Sequence, residues 1–334
     1  MGCGRYMSWS YTRSYAYNTC RRQFFYEYFP KYEQYDAAAY MLKNLSAPEL
    51  IAGQVVDWSI NGALENFIEH GELPEDLAER GIQAFKRVVA ASGRIVAGMK
   101  AGRKPPRQSQ PLHSDYYGYL LPKDKLAYCE QLVQDCLYNF EVSEVVDHLI
   151  KAKPDRWGKI KKPTDYPPHF LLGELVVYAN YDIYFELDDC LYIIDWKTAR
   201  PTEQSVEKAR QQLSVYALYG HEHLQYPLER IYVQAVWLQH ISRWNPSIVT
   251  AEAIEAARQT IATESAEQYA LVTTRKSEDG GPEYCAREED FPPEPEYSRC
   301  FFCKFRELCP DGRAAIGGEE AAVAVPEFDP FADE

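Results

Sequence analysis

Apolar positions recur at helical spacing through most of the first half of the chain. Residues 48–70 set Val55, Val56, Ile60, Leu64, Phe67 and Ile68 along one side of a helix, and similar patterns fill 75–98 and 123–150. In the last of these, Leu126, Cys129, Leu132, Val133, Cys136, Leu137 and Phe140 fall at three- to four-residue intervals. The aromatic stretch 5–30 reads as one amphipathic helix around Cys20, and 100–118, rich in Gly, Pro and Arg, as a mobile connection. From residue 170 the period shortens. The runs LLGELVVYANYDIYFEL and CLYIIDWKTA carry the β-branched and aromatic residues of strands and flank Asp188-Asp189. A helix over about 203–220, a strand over 231–240, another near 247–250 and a helix over 251–269 follow. These elements predict an α/β protein.

With 334 residues, 46% of them apolar and 26% charged, the chain can bury a sizeable core and is not disordered throughout. No apolar run approaches the roughly 18–20 residues that span a bilayer, so no membrane partner is expected. The first residues lack the apolar stretch of a secretory signal, which points to the cytoplasm and to nine cysteines acting as thiols or metal ligands. Thirty-six Lys and Arg against 50 Asp and Glu give a net charge of −14, which weighs against nucleic acid as a partner. Two basic stretches run against that average: Lys100, Arg103, Lys104 and Arg107, then Lys151, Lys153, Arg156, Lys159, Lys161 and Lys162. With Tyr116, Tyr117, Tyr119, Trp157 and Tyr166 nearby they suit either single-stranded nucleic acid or a solvated surface.

The strand runs carry chemistry. With Asp188-Asp189 as a two-residue loop, Leu187 faces Cys190 and the register carries Asp182 opposite Asp195. Carboxylates so placed repel unless a cation lies between them, and Mg²⁺ or Mn²⁺ suits oxygen ligands. Lys197, two residues past Asp195, projects from the same face of the strand. At the other end of the chain, Cys300-x2-Cys303-x5-Cys309 is three ligands of a Cys₄ zinc or [4Fe–4S] site, lacking a fourth that Cys285 or Cys20 could supply.

Asp182, the hairpin and Asp195-Trp196-Lys197-Thr198 together resemble the D…(D/E)-x-K core of the PD-(D/E)XK nucleases, in particular the RecB-like branch. Gln212-Leu213-Ser214-Val215-Tyr216 resembles that branch's Q-x-x-x-Y motif, and the two outer residues share a helix face. The resemblance implies a restriction-endonuclease-like core, a mixed central sheet flanked by helices, with a large helical insertion. It implies metal-dependent hydrolysis of DNA, single-stranded or at duplex ends. Asp182 and Asp195 would be ligands, the Trp196 carbonyl a further one, Lys197 would act on water, and Gln212 and Tyr216 would face substrate or orient the site. Where the branch carries G-x-x-x-H, this chain has Gly53-Gln54-Val55-Val56-Asp57, so Asp57 either replaces the His as a ligand or decorates a helix. Asn180 stands near where the family has a Gly. Iron–sulfur members pair one N-terminal Cys with three C-terminal ones, which makes Cys20, with Cys300, Cys303 and Cys309, the fourth ligand of a [4Fe–4S] clasp. The competing readings are a non-catalytic DNA-binding module of this fold and a redox or zinc protein.

The expected organisation is an aromatic helical segment (1–50), a helical region (51–168), the nuclease core (169–270), an iron–sulfur segment (271–312) and an acidic tail (313–334). The tail could dock a protein partner.

Overall fold

In the computed structural model, residues 2–4, 7–29, 37–162, 165–276 and 280–317 are described. The expected tail lies, from residue 318 on, outside them. Two short strands, β1 (Gly2–Gly4) and β2 (Ser8–Trp9), precede α1 (Tyr11–Thr19) and α2 (Arg21–Tyr28). The single helix expected over 5–30 is thus broken. At Cys20 the backbone is extended (φ −161°, ψ 112°), so that residue ends one helix and starts the next. Helices α3 (Ala37–Leu42), α4 (Pro48–His70) and α5 (Leu77–Lys100) follow. Pro48 at the first turn of α4 and Gly71 at its left-handed end (φ 82°) bound that helix where the sequence suggests.

The segment 100–118 is more ordered than its composition implies. It contains α6 (His113–Tyr117), with His113 and Ser114 buried. The expected helix over 123–150 is two, α7 (Lys125–Glu141) and α8 (Glu144–Ala152), because Ser143 caps the second by accepting a hydrogen bond from Val146 N. The first long strand run is likewise divided. Strands β3 (His169–Leu172) and β4 (Leu175–Tyr178) form a hairpin turning at Gly173 (φ 61°) and pair with β2 in a separate sheet.

The central sheet comprises β5 (Ile183–Leu187) and β6 (Cys190–Lys197), then, after α9 (Glu203–Glu222), β7 (Ile231–Trp237) and β8 (Ser247–Ile248), in the order β5-β6-β7-β8. Its β6–β7 pair is parallel and the outer pairs antiparallel, so it is mixed. Alternation along β6 divides the core. Leu191 and Ile193 pack with Leu213, Tyr216 and Leu218 of α9, while Ile194 and Trp196 pack with α4 and α7. Beyond the sheet lie α10 (Ala251–Ala270), β9 (Val272–Lys276), β10 (Pro282–Ala286), α11 (Tyr297–Phe302) and α12 (Pro310–Ala315).

The strand β10 pairs with both β9 and β1, in a sheet absent from the sequence reading. In it Cys285 is disulfide-bonded, with Cys3 opposite in the backbone register, which corrects the expectation of thiols throughout. Among the described residues no helix is long and apolar enough to cross a membrane.

The N- and C-terminal segments meet in one aromatic cluster that includes Tyr17, Phe24, Phe25, Phe29, Phe291 and Phe305. Polar ties support it. Arg22 Nη1 lies 2.6 Å from Glu288, and the Tyr26 hydroxyl donates to Glu288 (2.6 Å) and to Leu308 O (3.1 Å). Three of the four tyrosines considered for base stacking are engaged here, Tyr166 staying exposed: Tyr117 donates to Lys304 O (2.8 Å), Tyr116 to Glu307 (2.9 Å), and Tyr119 packs on Phe301. Trp157 stacks on Phe67 and donates to Leu149 O (2.8 Å). These four rings are structural.

Candidate active site

The site is built where β5 and β6 begin to separate. Asp188 and Asp189 both take positive φ (51° and 59°), the conformation of a tight two-residue hairpin turn, and this fixes the register. Leu187 opposes Cys190 and Ile183 opposes Ile194. One position further, Asp182 N donates to Ile194 O (3.1 Å), and the Asp182 carboxylate accepts from Trp196 N (2.6 Å). In an extended strand the N–H and C=O of one residue point to the same side, so the Trp196 carbonyl is directed toward Asp182 too.

Asp195 is buried and Asp182 half-buried, and α4 adds a third carboxylate, the half-buried Asp57. Gly53 lies one turn before Asp57, and a Cβ there would meet Thr198 Oγ1 at 3.0 Å, so glycine lets the helix approach the end of β6. Gln54 (3.2 Å) and Asn61 (3.4 Å) donate to Asp57. Burial, the Asp195 charge and the Asp57 charge push Asp182 up to about 8, against the opposing pull of Lys161. Asp57 is raised by burial and Asp195, and Lys161 again opposes. Sequence reasoning missed Lys161 as a site residue. It lies in the second basic stretch, in a segment without regular structure, so no periodicity could place it.

Lys197 Nζ lies 2.6 Å from Asp195 Oδ2, but off the line of a hydrogen bond, and that buried oxygen has no hydrogen-bond donor. The ammonium instead donates to Gln212 Oε1 (2.6 Å), and Gln212 Nε2 donates to the Tyr216 hydroxyl (2.6 Å). Tyr216, wholly buried, meets Asp195 in turn, and burial with the two Asp charges raises its phenol well above the ordinary value. Lys197, Gln212, Tyr216 and Asp195 thus form a closed polar ring, made possible by the i, i+4 spacing on α9. The three carboxylates supply oxygen donors of the kind a hard divalent cation takes, although they do not converge on one point, and one Asp195 oxygen is met only by the Lys197 ammonium.

Cys20, Cys300, Cys303 and Cys309 line one cavity between the chain's two ends, with Arg22, Arg299 and Arg306 at its walls. Gly312 makes room. A Cβ there would sit 3.5 Å from Cys309 Sγ and 3.8 Å from Cys300 Sγ, and its N–H donates to Cys309 Sγ (3.3 Å). Burial raises the Cys300 and Cys309 thiols and pushes Cys303 up to about 12, so binding a metal group would release protons. Among the described residues no three His, Cys, Asp or Glu side chains converge on a point that would hold a single metal ion. Four thiols around one small cavity are the groups that would hold a zinc ion or an iron–sulfur cluster.

Compared with known proteins, residues 8–310 match the PD-(D/E)XK nuclease superfamily. No curated protein matches the chain.

Proposed function

Because this chain belongs to the PD-(D/E)XK nuclease superfamily, we propose that its buried acidic cluster hydrolyses phosphodiester bonds of DNA with Mg²⁺ or Mn²⁺. One observation carries the reading. Burial and the Asp195 charge raise both Asp182 and Asp57, and Lys197 stands 2.6 Å from Asp195 beside them.

Those three carboxylates and the Trp196 carbonyl are the groups that would hold the metal, which leaves Asp57 in the place of the branch's histidine. When bound, a divalent ion supplies positive charge that stabilises the developing phosphorane and lowers the pKa of water. Lys197 positions the attacking water and offers its ammonium to a phosphate oxygen. Gln212 fixes the lysine rotamer, and Tyr216 fixes Gln212 and Asp195. Lys161 moderates the charge of Asp57 and Asp182.

The finer assignment is to the RecB-like branch, acting on single-stranded DNA or duplex ends. Cys20, Cys300, Cys303 and Cys309 hold a structural [4Fe–4S] cluster. The shared cavity and the room left by Gly312 support that assignment.

The test is digestion of end-labelled single- and double-stranded DNA with Mn²⁺ by wild type, Asp195→Ala and Lys197→Ala. The expected result is metal-dependent cleavage by wild type and a loss of at least about 100-fold in each variant. Equal cleavage by all three, or none by wild type, would sink the reading. Iron and sulfide assays with visible absorbance after anaerobic purification test the cluster separately, and zinc in its place would refute it.

A further inference from the structure

Next to the acidic cluster, over β7, lies an open cleft of about 370 Å³, within the roughly 300–1,000 Å³ typical of ligand pockets. Its lining includes Leu213, Trp237, Ser242, Arg243, Asn245 and Ser247. The register of the parallel β6–β7 pair sets Ala235 beside Asp195 and Trp237 beside Lys197, on strands about 4.8 Å apart. Residues in register project to the same face, so the half-buried indole is a direct neighbour of the lysine.

The loop that closes the cleft is held firmly. Gln234, only 8% exposed, donates from Nε2 to Arg243 O (2.8 Å) and accepts at Oε1 from Asn245 N (3.2 Å). Between them Trp244 turns away from the cleft. Its ring stacks on His148 (4.1 Å between centroids, 7° between planes), and its backbone N–H donates to Glu144 (2.8 Å). The alternation leaves Arg243 and Asn245 lining the cleft, and the Arg243 guanidinium is exposed with no ion pair among the described residues.

We propose that this cleft is a nucleotide subsite. Trp237 stacks on one base of the strand whose backbone crosses the acidic cluster, Arg243 meets an adjacent phosphate, and Asn245 meets the sugar or base edge. The assignment rests on the nuclease reading and adds to it the piece of substrate held beyond the reacting phosphate. Charge complementarity and continuity with the acidic site select a nucleic-acid strand as the occupant.

The test compares two substrates with Mn²⁺: a single-stranded oligothymidylate, and bis(4-nitrophenyl) phosphate, which has no base. Trp237→Ala and Arg243→Ala should each lower kcat/KM for the oligonucleotide about 10- to 100-fold more than for the small diester. Trp237→Phe, which keeps a stacking ring, should recover most of that difference. Binding of oligothymidylates with one abasic position, followed by fluorescence anisotropy in Ca²⁺, gives an independent readout. One position should weaken wild type about tenfold and leave Trp237→Ala indifferent. Equal losses on both substrates, with no abasic position that distinguishes Trp237→Ala from wild type, would overturn the subsite and leave the nuclease standing. Wild type inert toward both substrates would overturn the nuclease reading itself, and the subsite with it.

Discussion

Beside Asp57 and the buried Asp195, Asp182 is a costly residue until a cation arrives. Its acid is held up near 8 by burial first and by Asp195 next. In metal-free protein, Asp182→Asn removes the desolvated acid and keeps an oxygen for Trp196 N, so it should melt several degrees above wild type. Added Mn²⁺ should raise the melting temperature of wild type and not that of the variant; scanning calorimetry with EDTA and then Mn²⁺ reads both. Cleavage should fall at least about 100-fold in the same variant. Tyr216→Phe is a gentler change. It leaves Gln212 Nε2 without its acceptor and should lower kcat about tenfold with little change in KM, measured by steady-state cleavage. The opposition of Asp182 and Asp195 was legible because a two-residue turn and a period of two leave only one register. Lys161 was not legible, since it reaches the carboxylates along an irregular segment whose path only tertiary packing decides.

Helix α4 was readable almost to its ends, because Pro48, the apolar stripe and Gly71 agree. That it delivers Asp57 to the sheet depends on Gly53, and the resemblance to G-x-x-x-H was the only signal for it. Gly53→Ala should separate stability from activity. Alanine favours the helix by about 1 kcal/mol, yet its Cβ would press Thr198 Oγ1 at 3.0 Å and shift Asp57 one turn on. Melting temperature is expected to hold or rise while kcat/KM drops about tenfold. The breaks at Cys20 and Ser143 were hidden because apolar spacing continues across them and only local backbone and capping interrupt the helix. Strands β9 and β10 escaped because β9 is mostly exposed and its residues carry no alternating apolar pattern. The thiols of α7 followed the pattern. Burial pushes Cys129 and Cys136 up to about 12, so iodoacetamide at pH 8.5 should leave both unmodified in native protein and label them in urea. Between pH about 9 and about 12 the folded state keeps protons that the unfolded chain has lost. These two groups therefore make stability fall as pH rises through that window.

Across the whole molecule, the first and last described segments close on each other. Trp9 and Asn18 bind Glu264, Arg22 and Tyr26 bind Glu288, and the aromatic cluster fills the space between. Strand β1 already pairs with β10 beside the disulfide-bonded Cys285, so a cluster bridging Cys20 to Cys300, Cys303 and Cys309 would close a further, shorter loop. By the entropy of loop closure such a tie is worth roughly 3 kcal/mol, more than a single polar contact. Cys20→Ser should therefore lower the melting temperature more than Glu288→Ala, although Glu288 holds two partners at 2.6 Å and the serine differs by one atom. It should also expose the terminal segments to trypsin before the central sheet yields, read by mass spectrometry of the first fragments. If the serine variant instead melts with wild type, the four thiols carry no strong cross-link, and the aromatic cluster, the Glu264 and Glu288 contacts and the β1–β10 pairing beside Cys285 hold the ends together.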